Sequence, residues 1–128
     1  MYILDTCTLL WLVADQSRIS ERALKCISDH PESLYVSAIS AFEIALRHEH
    51  KKLHLPLSPP TWWSEALSFH GITEIPVTGE IGARSAMLPF LHNDPCDRLI
   101  VATAQVHRLA ILTPDSHISQ YAKTEVVW

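Results

Sequence analysis

Four acidic residues, far apart in the chain, are of the type and placement to do chemistry together: Asp5, Glu43, Asp97 and Asp115. Asp5 ends the apolar run Tyr2-Ile3-Leu4. Glu43 falls in the first turn of a helix that follows a second run, Leu34-Tyr35-Val36. Asp97 falls in the first turn of a helix opened by Asn93-Asp94-Pro95, and Asp115 follows Leu109 to Leu112 through Thr113-Pro114. Each has a structural alternative. Asp5 and Asp115 read as helix caps, and Ser40-Ala41-Phe42-Glu43 matches a capping box. Asp94 reads mainly as an N-cap, with Pro95 at the first helical position and Asp97 facing the positive end of the dipole. Taken together the acids say more. Carboxylates gathered in one place repel, and some must take up protons. A hard divalent cation, Mg²⁺ or Mn²⁺, removes that repulsion because it prefers oxygen ligands. Glu43, flanked by Phe42, Ile44 and Ala45, is expected to be partly buried, where an acid needs a partner.

A carboxylate–metal site without an obvious nucleophile suits phosphodiester hydrolysis. The cation can acidify water, polarise the phosphate and stabilise the leaving oxygen. Asp5 and Asp97 are assigned as direct ligands and Asp115 as a further one, with Glu43 placed to orient or deprotonate the attacking water. Thr6 and Thr113 stand beside the site and could contact water or phosphate, with capping as the alternative. Substrate phosphates need positive charge nearby. The segment Arg47-His48-Glu49-His50-Lys51-Lys52-Leu53-His54 supplies it through Arg47, Lys51 and Lys52, or is simply a solvated helix face. Arg98, next to Asp97, could meet a phosphate or pair with a site carboxylate.

These acids meet only if the chain delivers them to one edge, and the order of elements does so. Short apolar strands are expected at 2–4, 34–36, 72–77, 109–112 and 125–128. Helices are expected from Thr6 through the run Leu9-Leu10-Trp11-Leu12-Val13, from Ser20 to His30, and from Ser37 or Ser40 with Ile39, Phe42 and Leu46 at helical spacing. Pro56, Pro59 and Pro60 break the chain before a helix at 62–69. A short helix follows at 79–88. The clearest helix starts at Asn93-Asp94-Pro95 and sets Cys96, Leu99, Ile100, Thr103, Ala104 and His107 on one stripe. Thr113-Pro114-Asp115 is expected to open another short helix. Strands alternating with helices predict an α/β fold with a mostly parallel sheet covered on both faces. In such a sheet the strand C-termini share one edge, and all four acids are sent there.

The 128 residues are expected to form a single domain, and nearly half of them are hydrophobic, enough for a sizeable core. No apolar run reaches the roughly 18 residues of a membrane span, and the first residues lack the basic stretch of a signal peptide. Three widely spaced cysteines, Cys7, Cys26 and Cys96, form no Cys-x-x-Cys pair, so a cytoplasmic chain with neither disulfide framework nor thiolate zinc site is expected. The net charge of −4 runs against nucleic-acid binding as a sum. Yet the four acids account for the whole excess.

Several of these stretches resemble the PIN-domain family, and within it the VapC-type ribonuclease toxins of bacterial toxin–antitoxin pairs. Ile3-Leu4-Asp5-Thr6-Cys7-Thr8-Leu9-Leu10-Trp11-Leu12 is similar to the family's opening strand and first acid. Val36-Ser37-Ala38-Ile39-Ser40-Ala41-Phe42-Glu43-Ile44-Ala45 resembles the segment bearing the second. His92-Asn93-Asp94-Pro95-Cys96-Asp97-Arg98-Leu99-Ile100-Val101-Ala102 is the most specific piece, and Leu112-Thr113-Pro114-Asp115 carries the fourth acid. The resemblance spans nearly the whole chain. It implies a three-layer α/β/α fold, dependence on Mg²⁺ or Mn²⁺, and endonucleolytic cleavage of structured RNA such as tRNA or rRNA. It also implies a homodimer and a cognate antitoxin whose tail covers the cleft. The chain departs from the family pattern at three places. Cys96 replaces a bulky aromatic, Lys51 replaces the usual glycine before Lys52-Leu53, and Ile118 stands where an aromatic is common.

Two other enzyme classes fit less well. A phosphatase using Asp5 as nucleophile lacks a second acid two residues on, and no Gly-rich phosphate loop occurs. His50 and His54 have i, i+4 spacing, but a zinc-protease glutamate is not in place. The remaining alternative is a non-catalytic RNA- or protein-binding PIN-like module, and the complete set of four acids speaks against it.

Overall fold

The computed structural model describes residues 1–128. Five strands alternate with six helices: β1 (Tyr2–Leu4), α1 (Thr6–Ala14), α2 (Glu21–Asp29), β2 (Leu34–Ser37), α3 (Ala38–Glu49), α4 (Pro59–His70), β3 (Thr73–Ile75), α5 (Gly79–Met87), α6 (Pro95–His107), β4 (Ala110–Leu112) and β5 (Val126–Val127). All strand pairs are parallel, in the order β3-β2-β1-β4-β5. The three-layer α/β expectation therefore holds.

Side-chain alternation along each strand divides the core in two. Leu4, Leu34, Val36 and Leu112 face α1 to α4 and pack with Leu9, Leu12, Ile44, Trp62 and Ala66. Ile3 and Ile111 face the other way and pack with Ile81 of α5, Ile100 and Val101 of α6, and Ile118. Both strand faces are covered, so the strands can be apolar throughout.

Capping sets where the helices begin. Asp5 accepts from Thr8 N, Ser20 from Ala23 N, Ser37 from Ile39 N, Thr78 from Ile81 N, and Asp94 from both Cys96 N and Asp97 N. The expected Ser40–Glu43 capping box does not form. Ser37, the last residue of β2, already caps α3, and Ser40 is buried one turn on, with its hydroxyl 2.9 Å from that of Thr6. The expected apolar stripe of α3 is also shifted. Ser40 and Ile44 turn inward, whereas Phe42 and Leu46 are 57% and 42% exposed. After Thr113-Pro114-Asp115 the chain makes only a 3₁₀ turn, Ile118–Gln120, instead of a short α-helix. The third strand is shorter than its apolar run, covering Thr73–Ile75.

α3 ends in a Schellman arrangement: Lys51 N donates to His48 O, Lys52 N donates to Arg47 O, and Lys51 takes φ 57°. A glycine would adopt that left-handed conformation without steric cost, so Lys51 carries strain there.

Candidate active site

The chain runs from β1 outward through β2 to β3, then returns to place β4 on the other side of β1. Between β1 and β4 the strand order reverses, and in open parallel sheets a cleft opens beyond the strand C-termini at such a point. Leu4 pairs with Leu112 there, and Asp5 N donates to Leu112 O. A cleft of about 250 Å³ lies at this edge, lined by Asp5, Thr6, Cys7, Glu43, Arg47, Asp94, Asp97, Pro114 and Asp115. The four acids singled out from the sequence line one cavity, and Asp94 joins them.

Each acid is held differently. Asp5 is 5% exposed, and its two oxygens accept from Thr8 N and from the Thr113 hydroxyl. Burial pushes its pKa up, against the lowering effect of those hydrogen bonds. Asp97, in the first turn of α6, is pushed up to about 7 by burial and then by the charges of Asp94 and Glu43. Asp115 lies below the ordinary carboxylate range. Burial raises it, but hydrogen bonds from His92 and from the His117 and Ile118 amides outweigh that. Glu43 accepts at Oε2 from Arg47 Nη2 at 2.7 Å, an i, i+4 pair on α3. Its other oxygen, Oε1, is buried without any hydrogen-bond partner.

An unpaired buried carboxylate oxygen is costly, and so is a carboxylate forced toward protonation by its neighbours. A hard cation would offset both costs. The donors are all carboxylate oxygens, the set that suits Mg²⁺ or Mn²⁺ rather than a soft metal. The residues present therefore fit such an ion, with Asp5, Asp97 and Asp115 to hold it and Glu43 alongside. Thiol chemistry does not fit. Burial and the neighbouring acids raise the pKa of Cys7, and they push that of Cys96 to about 11, so neither offers a thiolate near neutral pH.

The residues expected to meet substrate divide. Arg47 lines the cleft, and Lys51 and Lys52 are exposed just past the end of its helix. Thr6 and Thr113 are buried and tie elements together. Thr6 bonds Ser40 across α1 and α3, and Thr113 bonds Asp5 across β4 and β1. Arg98 is a correction. It is 6% exposed and turns away from Asp97, donating to the carbonyls of Ser85, Leu88, Pro89 and His92 and to the Tyr121 hydroxyl. With both terminal guanidinium nitrogens committed to the segment between α5 and α6 and to Tyr121, the side chain is held away from the cleft. Adjacent residues on a helix point about 100° apart, so Arg98 leaves the cleft that Asp97 enters.

His92 was not singled out from the sequence, though it stands in the most specific stretch. Its Nε2 lies 3.0 Å from both Asp97 Oδ2 and Asp115 Oδ2. Its Nδ1 accepts from Asp94 N at 3.2 Å. An accepting Nδ1 leaves the ring proton on Nε2, so this nitrogen donates to Asp115 Oδ2, with Asp97 Oδ2 in close polar contact beside it. His92, Asp115 and His117 also offer ligand atoms within 4.8 Å of one another. The proton on His92 Nε2 makes it a donor rather than a metal ligand in this arrangement. No residue type marks such a histidine in advance, because it sits in an irregular loop whose placement depends on Arg98.

Comparison with known proteins agrees with this geometry. Residues 2–124 match the PIN domain family. The chain is 32% identical over 129 residues to Ribonuclease VapC22 of Mycobacterium tuberculosis, covering 98% of this chain and 97% of that protein. Among solved structures, VapBC2 from Rickettsia felis bound to a DNA fragment from their promoter aligns with a TM-score of 0.73 at 13% identity, covering 98% of this chain and 96% of the other. FitAcB from Neisseria gonorrhoeae aligns at 0.64 with 23% identity, covering 100% and 97%. These structural likenesses speak to the fold, and the 32% identity speaks to kinship. The chain belongs to the PIN-domain family, in its VapC-type branch.

Proposed function

We propose that this chain is a divalent-metal-dependent endoribonuclease, the toxin of a toxin–antitoxin pair, acting on structured RNA such as tRNA or rRNA. One observation carries the reading: Asp5, Glu43, Asp97 and Asp115 converge in a single cleft at the switch point, with one buried Glu43 oxygen left unpaired. A relative named as a ribonuclease, similar over nearly all of its length, supports the substrate class.

When bound, Mg²⁺ or Mn²⁺ supplies charge against the phosphate and acidifies water. The rest falls to this chain. Asp5, Asp97 and Asp115 hold the ion, and the amides and hydroxyl that bind Asp5 and Asp115 fix those carboxylates before substrate arrives. Glu43, with Oε1 free, orients the attacking water and accepts its proton, while Arg47 keeps the other oxygen engaged. Arg47, Lys51 and Lys52 draw the RNA backbone to a cleft that would otherwise repel it.

The chain acts as a single PIN unit in the cytoplasm, as a homodimer, and is silenced by a cognate antitoxin. The similarly folded VapBC2 from Rickettsia felis and VapBC from Salmonella typhimurium support such a partner. No helix is long and apolar enough to cross a membrane. The test is cleavage of total cellular RNA by purified protein in Mg²⁺, Mn²⁺ or EDTA. Discrete fragments that require the ion are expected. Absence of cleavage by folded, antitoxin-free protein would overturn the reading in favour of a binding module.

A further inference from the structure

We propose that His92 is the positioning residue that holds two of the site carboxylates, Asp97 and Asp115, in the geometry a cation needs. The inference rests on the metal-nuclease reading and adds a residue to it. Asp97 lies in the first turn of α6 and Asp115 follows β4, so no backbone element joins them. Their negative charges push them apart. One nitrogen, His92 Nε2, lies 3.0 Å from an oxygen of each and draws them together. Asp97 is held only through this contact with His92, whereas Asp115 accepts from His92 at Oδ2 and is fixed separately at Oδ1 by the His117 and Ile118 amides.

The direction of the bond is set from behind. Asp94 N donates to His92 Nδ1, which leaves the proton on Nε2 for Asp115, with Asp97 alongside. Arg98 contributes by donating from its guanidinium to the His92 carbonyl, along with those of Pro89 and Leu88. The helix that carries Asp97 thus also carries the residue that places His92 against it. An outer-shell donor of this kind typically sets metal affinity within about 10–100-fold.

Two amide substitutions separate this role from a merely structural one. In His92→Gln the amide nitrogen stands at the same number of bonds from Cβ as Nε2, so it can still donate to the carboxylates. In His92→Asn the side chain reaches only as far as Nδ1, so it can satisfy Asp94 N but not bridge the acids. Mn²⁺ binding is measured by calorimetry on each full-length, metal-free protein, with thermal unfolding as a check on folding. The expected result is a 10–100-fold weaker Mn²⁺ affinity in His92→Asn and a nearly normal one in His92→Gln. A ¹⁵N NMR spectrum of the metal-free wild type should show the His92 proton on Nε2. Equal or tighter Mn²⁺ affinity in His92→Asn, or the proton on Nδ1, would overturn the proposal. Failure of the wild type to bind Mn²⁺ would instead overturn the metal reading beneath it.

Discussion

Asp97 and Arg98 are sequence neighbours on α6, and both are largely removed from solvent, yet they sit in opposite electrostatic situations. Arg98 is a buried cation with four carbonyls accepting from it and the Phe90 ring against it, 4.7 Å from the guanidinium carbon. Asp97 is a largely buried anion among other anions, relieved only by His92. A charge whose partners are complete holds structure together. A charge whose partners repel it is stable only with something the chain does not supply, and that marks a site for a cation.

The largest effect that tests this contrast is on activity. Asp97→Asn should take metal-dependent RNA cleavage below detection while raising the melting temperature of the metal-free protein, because one repelling charge is gone. Cleavage assayed in Mn²⁺ beside thermal unfolding in EDTA reads both. Normal cleavage by the folded variant would remove Asp97 from the ligand set.

Arg98 should behave in the reverse way. Arg98→Ala strands several buried carbonyls and should cost about 3 kcal/mol or more, read from urea unfolding. Arg98→Lys should recover only part, since an ammonium cannot reach carbonyls on both sides as a guanidinium does. A loss under about 1 kcal/mol would mean that the carbonyls find other partners and that Arg98 is not the tie it is taken to be.

This pair also shows what could be read from residues alone. The strands, their order of alternation with helices and the shared edge of the four acids follow from apolar runs and cap residues, which are local. The sense of Arg98 does not, because a basic residue beside a site acid looks like a substrate contact until the loop at 88–92 is placed over it. His92 was hidden for the same reason. On α3, spacing alone put Phe42 and Leu46 toward the core. Helical periodicity names a stripe but not what it faces, and Ser40 and Ile44 take the buried side because Thr6 stands opposite. Burial could be foreseen for Glu43 from its apolar flanks, but not the pairing of one oxygen with Arg47 that leaves the other unpaired.

A third test uses pH. The pKa of Asp97 is raised from 3.8 to about 7, so between those values the folded protein binds more protons than the unfolded chain. Stability of the metal-free protein therefore falls as pH rises through that window, and the full cost is present above about pH 7. Asp5 acts in the same direction. Asp115, lowered instead, contributes stability that is lost only as pH falls through its own acidic pKa. The melting temperature in EDTA should therefore be highest in mild acid and drop by roughly 5 °C or more between pH 5 and pH 8. Asp97→Asn should flatten most of that slope, and saturating Mn²⁺ should offset it. A slope unchanged in Asp97→Asn would place the titrating group elsewhere.

The smallest effect concerns the end of the helix that carries Glu43 and Arg47. Lys51 holds a left-handed conformation, φ 57°, with its amide committed to His48 O. Lys51→Gly removes the steric cost but frees the unfolded chain, so the net gain should be about 0.5–1 kcal/mol. The same change deletes an exposed positive charge just past the end of the helix whose Arg47 lines the cleft. RNA binding by a cleavage-inactive Asp97→Asn background should weaken, and its salt dependence should become shallower by about one phosphate contact. Opposite signs for stability and binding would show that the chain keeps a strained lysine where glycine fits better because the charge is used. A gain in stability with no change in the salt dependence would make Lys51 part of a solvated helix end and leave Arg47 and Lys52 to meet the substrate.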